Sequence, residues 1–69
     1  MNDEALRIAV RAPEARECLT AKQRQTLEAF LIEKTVAATA RRLACSRPTV
    51  MKHLALAGKK LLAFAREIS

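Results

Sequence analysis

Tryptophan and tyrosine are absent from this 69-residue chain, which also holds only one glycine, two prolines, two cysteines and one histidine. A single glycine leaves no glycine-rich loop to cradle a phosphate, and no strand pattern is visible. One histidine and two distant cysteines do not supply a closed metal site, and no paired carboxylates or nucleophile-base arrangement is present. Neither an enzyme nor a metal or cofactor is therefore expected. No apolar run approaches the roughly 20 residues that cross a bilayer, which argues against a membrane partner. The amino terminus, Met1-Asn2-Asp3-Glu4, has neither a basic start nor an apolar stretch, so no secretory signal is expected and the cytoplasm is the anticipated compartment. In that setting Cys18 and Cys45 are expected as small packing residues rather than as a bridge.

The most informative absence is of negative charge. Between Lys34 and Arg66 there are eight basic side chains (Lys34, Arg41, Arg42, Arg47, Lys52, Lys59, Lys60, Arg66) and no carboxylate. Residues 1–33 carry five basic against six acidic groups, so the net charge of +6 comes almost wholly from the second half. A charge run is more often a solvated helix face than a binding surface. Here the complete lack of carboxylates, together with the motif described below, points to a polyanion of regular shape, and duplex DNA fits better than a membrane or an acidic protein.

Seventeen Leu, Ile, Val and Phe residues and abundant alanine predict an all-α fold, a small helical bundle in a single domain. A chain this short buries a modest share of its surface, and self-association would add useful area, so a homodimer is expected. Residues 1–18 read as an arm: a helix from Asp3 to Arg11, capped by Asn2 or Asp3, with Leu6, Ile8, Ala9 and Val10 on its apolar side. Pro13 breaks it and could open a further turn through Cys18. Thr20-Ala-Lys-Gln23 matches a capping box, predicting a helix to about Glu33 with Leu27, Phe30 and Leu31 on one face. A short helix from Thr35 to Leu43 should face inward through Val36, Ala40 and Leu43, with Ala44-Cys45 as the turn. Ser46 caps the next helix, Pro48 sits where a missing amide does no harm, and no strong breaker precedes Ile68. Leu54, Gly58, Leu61, Ala65 and Ile68 form a heptad-like seam. Leu62 and Phe64 widen it beyond what so small a core can cover. Leu61, Leu62, Phe64 and Ile68, with Leu6 and Val10 of the arm, are thus expected at a dimer or partner interface.

The segment Leu19-Thr-Ala-Lys-Gln-Arg-Gln-Thr-Leu-Glu28 is followed by the run Ala37-Ala-Thr-Ala-Arg-Arg-Leu-Ala-Cys-Ser-Arg-Pro-Thr-Val-Met-Lys-His-Leu54. Over residues 19–62 the chain resembles the LuxR/GerE class of bacterial DNA-binding domains and the related region 4 of sigma-70 factors. Leu19-Thr20, Ala40, Leu43, Ser46, Thr49-Val50 and His53-Leu54 fall in register with the pattern typical of that class. The family's turn glycine is Ala44 here, which fits less readily where φ is positive, and its usual aliphatic residue before the alanine is Thr39. The resemblance implies a tetrahelical helix-turn-helix domain over residues 19–69 with a long final helix. No receiver or ligand-binding domain precedes it in this sequence, so a stand-alone small regulator of plasmid or phage type is the expectation.

A helix-turn-helix lays its second helix in the major groove, so the relevant side chains are those facing away from the core. Arg47 could reach guanine O6 and N7 bidentately, Lys52 guanine or a phosphate, and Met51 a thymine methyl; these are the expected base-reading residues. Plain packing is the other reading of Met51. Lys34, Thr35, Arg41, Arg42, Ser46, Thr49, Lys59 and Lys60 are the expected phosphate contacts. His53 is expected to be partly buried and to support the fold. The leading expectation is a sequence-specific transcriptional regulator, more readily a repressor than an activator, binding an inverted repeat of double-stranded DNA. The competing one is a phage- or plasmid-type antagonist that uses the scaffold to bind a host regulator, RNA polymerase or another protein through its apolar surfaces.

Overall fold

A 22-residue helix sets the dimensions of the molecule: at 1.5 Å per residue it is about 33 Å long, against a longest molecular extent of 36 Å. The computed structural model describes residues 2–68, Ile68 by its backbone alone. The elements are α1 (Asp3–Arg11), a 3₁₀ segment (Pro13–Cys18), α2 (Ala21–Glu33), α3 (Val36–Leu43) and α4 (Arg47–Ile68). Among the described residues there is no strand, and the fold is all-α.

Each α-helix begins at a side-chain cap, because its first amides have no partner within the helix. Asn2 Oδ1 accepts from the Glu4 amide at 2.7 Å to start α1. At α2 the capping box closes both ways: Thr20 Oγ1 accepts from the Gln23 amide at 3.2 Å, and Gln23 Oε1 accepts from the Thr20 amide at 3.1 Å. Thr35 Oγ1 accepts from the Ala38 amide at 3.1 Å to start α3, and Ser46 Oγ accepts from the Thr49 amide at 3.3 Å to start α4. Buried polar groups are satisfied just as locally. Thr26 and Thr39, both inside the bundle, donate their hydroxyls to the carbonyls of Lys22 and Thr35 at 2.8 and 2.7 Å. Thr39, placed where the resemblance has an aliphatic residue, is thus accommodated without an orphan hydroxyl.

The turn between α3 and α4 stores strain. Ala44 adopts φ 53°, ψ 46°, the left-handed conformation that favours glycine. Its conformation is enforced by two reverse hydrogen bonds: Ala44 N–H to the Arg41 carbonyl (3.3 Å) and Cys45 N–H to the Ala40 carbonyl (3.0 Å). These are the paired bonds of a Schellman ending. Lys34 also ends α2 in the left-handed region, at φ 73°, but through the single bond of its N–H to the Phe30 carbonyl at 2.8 Å.

The core has two parts, and α4 belongs to both. Its first half packs Val50 and Leu54 against Ala40, with Phe30, Val36 and Cys45 closing around them. Its second half packs Ala57 and Leu61 against Ala5 and Ala9 of α1, Ala15, Leu19 and Leu27. The face of α2 expected to carry Leu27, Phe30 and Leu31 is therefore divided: Leu27 and Leu31 serve the second cluster and Phe30 the first. Leu27 and Leu61 are fully buried, and each contributes about 1.5–3 kcal/mol. Alanines dominate the rest, so the helices approach closely but bury little area per residue.

Several expectations about the arm and the seam are corrected here. α1 lies on α4 through Ala5 and Ala9, which leaves Val10, expected at a dimer or partner interface, 60% exposed. Small side chains at i and i+4 let one helix backbone settle against another, and Val10, about 100° round from Ala9, falls outside that contact. Leu61, expected at a subunit interface, is 0% exposed because α1 covers it within the same chain. Leu6, Leu62 and Phe64 are partly buried against that same cluster, and the Ile68 side chain lies outside the described residues. Arg16 fastens the arm by donating from Nε to the Ala9 carbonyl at 3.0 Å, with Nη1 3.8 Å from Glu28 of α2. That carbonyl is one of those the end of α1 leaves without an intrahelical partner. Cys18, expected as a packing residue, is exposed; its thiol donates to the Ala15 carbonyl at 2.8 Å, whereas Cys45 does pack, half-buried. Both thiols are free. Gly58 lies buried within α4 in ordinary helical geometry, where it costs about 0.5–1 kcal/mol relative to alanine.

Candidate nucleic-acid interface

The start of α4 presents a continuous outer surface. Val50 and Leu54 hold the helix from behind, and the residues interleaved with them, Arg47, Pro48, Met51, Lys52 and Ala55, are all exposed. This division follows from helical periodicity: positions 50 and 54 stack on one side, 48, 52 and 55 on the other. Met51 is 59% exposed, so packing does not account for it. His53 is half-buried. Lys59 continues the outer ridge seven residues after Lys52, two turns or about 10.5 Å further along the helix.

The flanking groups expected to meet phosphates are not equivalent. Lys34 is exposed at the junction of α2 and α3, and Arg41 is exposed in the last turn of α3. The hydroxyls of Ser46 and Thr49 lie 2.8 Å apart and bond to each other. One of their two protons is spent in that contact and the other is left to donate outward. Thr35 is exposed but engaged as the cap of α3. Arg42, by contrast, is turned back: its Nη1 donates to Glu33 Oε2 at 2.8 Å, tying α3 to the end of α2. Lys60, half-buried, lies on a different flank from Lys59, sharing a depression with Cys18 and Phe64 while Lys59 shares one with Met51 and Ala55. Adjacent positions in a helix are about 100° apart, and here that step carries Lys60 off the ridge that Lys59 continues.

Comparison with protein-family models, with curated proteins and with solved structures finds no match. The surface offers guanidinium and ammonium donors, hydroxyls and one thioether on a rigid helix, with no carboxylate between residues 34 and 66 to oppose an anion. Among the described residues no group of three His, Cys, Asp or Glu side chains is placed to hold a metal ion. Nor is any described helix long and apolar enough to cross a membrane.

Sequence reasoning missed one feature of this region. Beside the cationic ridge runs an apolar groove of about 450 Å³, bounded by Asn2, Val36 and the Met51-to-Leu62 stretch of α4. Its walls come from three elements far apart in the chain. The one signal available beforehand was the lone glycine, Gly58, set inside an otherwise strong helix former.

Proposed function

We propose that the chain is a sequence-specific double-stranded DNA-binding protein that regulates transcription, with α3, the Ala44 turn and α4 serving as a helix-turn-helix of the LuxR/GerE kind. The observation that carries this reading is the start of α4. Arg47, Met51 and Lys52 stand exposed on a helix anchored by buried Val50 and Leu54, in a stretch without a carboxylate. The first two turns of α4 enter the major groove, where Arg47 reads guanine and Lys52 a guanine or phosphate, while Met51 packs against a thymine methyl. Lys34, Arg41 and Lys59 hold the flanking phosphates, and the Ser46–Thr49 hydroxyl pair sits at the positive end of α4, where an anion is favoured.

Regulation by occlusion suits so small a protein, and a homodimer would place two such helices roughly 34 Å apart on an inverted repeat. Val10 is exposed, and Leu6 and Phe64 are only partly covered, so the α1 edge offers apolar surface to a second copy. Selection of bound duplexes from a random pool tests the reading. The unaltered chain should enrich a palindrome, and Arg47→Ala and Lys52→Ala should each lose discrimination at one position of each half-site, by about 1–3 kcal/mol. Recovery of no motif by the unaltered chain would refute it.

A further inference from the structure

The groove beside the cationic ridge is a candidate site in its own right. Val36, Met51, Leu54, Ala55 and Leu62 make it apolar. Its volume of about 450 Å³ lies within the roughly 300–1,000 Å³ typical of small-molecule sites. Gly58, the only glycine in the chain, is buried where it lines this groove. Its φ is not positive, so the backbone does not require glycine there. What the missing Cβ does provide is room, since any other residue would project into the cleft.

The polar rim is one-sided. Among the described residues it consists of Lys59, a donor only, and Asn2, whose Oδ1 already accepts from the Glu4 amide at 2.7 Å and whose backbone carbonyl accepts from the Leu6 amide. Its one charged group is therefore a cation, the Lys59 ammonium, with the Asn2 NH₂ as a second donor. We infer that this groove binds a small apolar carboxylate, the hydrocarbon body lying over Gly58 between Met51 and Leu62 and the carboxylate meeting Lys59 and Asn2. The charge of Lys59 matches an anionic head group, whereas a neutral amphiphile could accept hydrogen bonds there but would leave the ammonium without a counter-charge. A second copy of this chain fits less well, because it would bring another Lys59 and a further net charge of +6 to the same cleft. Glu4 lines a neighbouring depression in company with Arg66.

The site is defined without reference to DNA. Because Met51 and Lys59 also belong to the proposed DNA surface, occupancy would displace a duplex, a consequence that rests on that earlier reading. The test is therefore run without nucleic acid. The full chain, ¹⁵N-labelled, is titrated with sodium decanoate below its micellar range, with 1-decanol as neutral control. Saturable amide shifts should gather at Val36, Met51, Gly58 and Leu62, and decanol should bind more weakly. Lys59→Gln should weaken decanoate by up to about fivefold, the scale of an exposed ion pair. Ala55→Leu, at an exposed position, and Gly58→Ala should each reduce binding by filling the cleft while helix content by circular dichroism is kept. The inference fails if no saturable shift occurs, if the shifts survive both filling variants, or if decanol binds as well as decanoate and Lys59→Gln changes nothing. It fails equally if sedimentation shows a dimer whose dissociation on dilution shifts these same resonances, since a second copy would then occupy the groove.

Discussion

Replacing Ala44 by glycine should make the protein more stable, although the same change almost anywhere else in this chain would weaken it. Ala44 is held at φ 53°, ψ 46° by the paired bonds to the Arg41 and Ala40 carbonyls. An L-residue with a Cβ pays about 1–2 kcal/mol for that conformation. Glycine relieves the clash but enlarges the unfolded ensemble by about 0.4–1 kcal/mol. The net gain is roughly 1 kcal/mol, and a domain of this size should melt about 4–8 °C higher for each kcal/mol. The internal control is Ala55→Gly, an exposed position inside α4, which should lose about 1 kcal/mol. Urea unfolding followed by circular dichroism at 222 nm measures both. Two identical chemical changes eleven residues apart should move the midpoint in opposite directions. If Ala44→Gly lowers the midpoint as Ala55→Gly does, the left-handed turn, and with it the angle between α3 and α4, has been read wrongly.

The phosphate contacts give a second pair of opposed outcomes. Arg41→Ala should reduce the slope of log affinity against log salt by about 0.9, whereas Arg42→Ala, whose guanidinium is held by Glu33, should change the slope little. Fluorescence anisotropy on a labelled duplex across a salt series reads both. Six phosphate contacts per complex would lower affinity on the order of a thousandfold between 50 and 200 mM salt, and a flat response would count against DNA as the partner. Arg16→Ala should loosen α1 by about 1–2 kcal/mol, because the Ala9 carbonyl loses a charged donor; its side chain is one-quarter exposed, so the full worth of a buried contact is not expected. Hydrogen exchange should then speed up in α1 ahead of α3. Thr20→Ala removes half of the capping box and should cost about 1 kcal/mol in a thermal melt.

Helix boundaries were legible because they are decided within a few residues. Asn2, Thr20 with Gln23, Thr35 and Ser46 each satisfy amides two or three positions ahead, and α1 and α3 end at Arg11 and Leu43, where sequence reasoning placed them. The anchoring of α4 by Val50 and Leu54 was also legible, since periodicity alone puts them on one side. The excess apolar surface of Leu61, Leu62 and Phe64 was legible as a quantity but not as a destination. A hydrophobic stripe demands cover, yet cover from the same chain and cover from another leave the same pattern. The pairing of Arg42 was not legible for a similar reason: its partner, Glu33, is nine residues away on another helix, and only the packing of α3 on α2 brings the two within 2.8 Å.

For this protein, then, local chemistry written along the chain determined where the helices begin and end, how charge is distributed and which side of α4 is anchored. Tertiary structure alone decided that α1 lies over Leu61, that Arg42 turns back to Glu33 while Arg41 stays outward, that Lys59 and Lys60 serve different flanks, and that a groove opens over Gly58. The division has one physical cause. Capping and periodicity act over one or two turns of backbone, whereas a buried contact or a cleft depends on how whole helices meet.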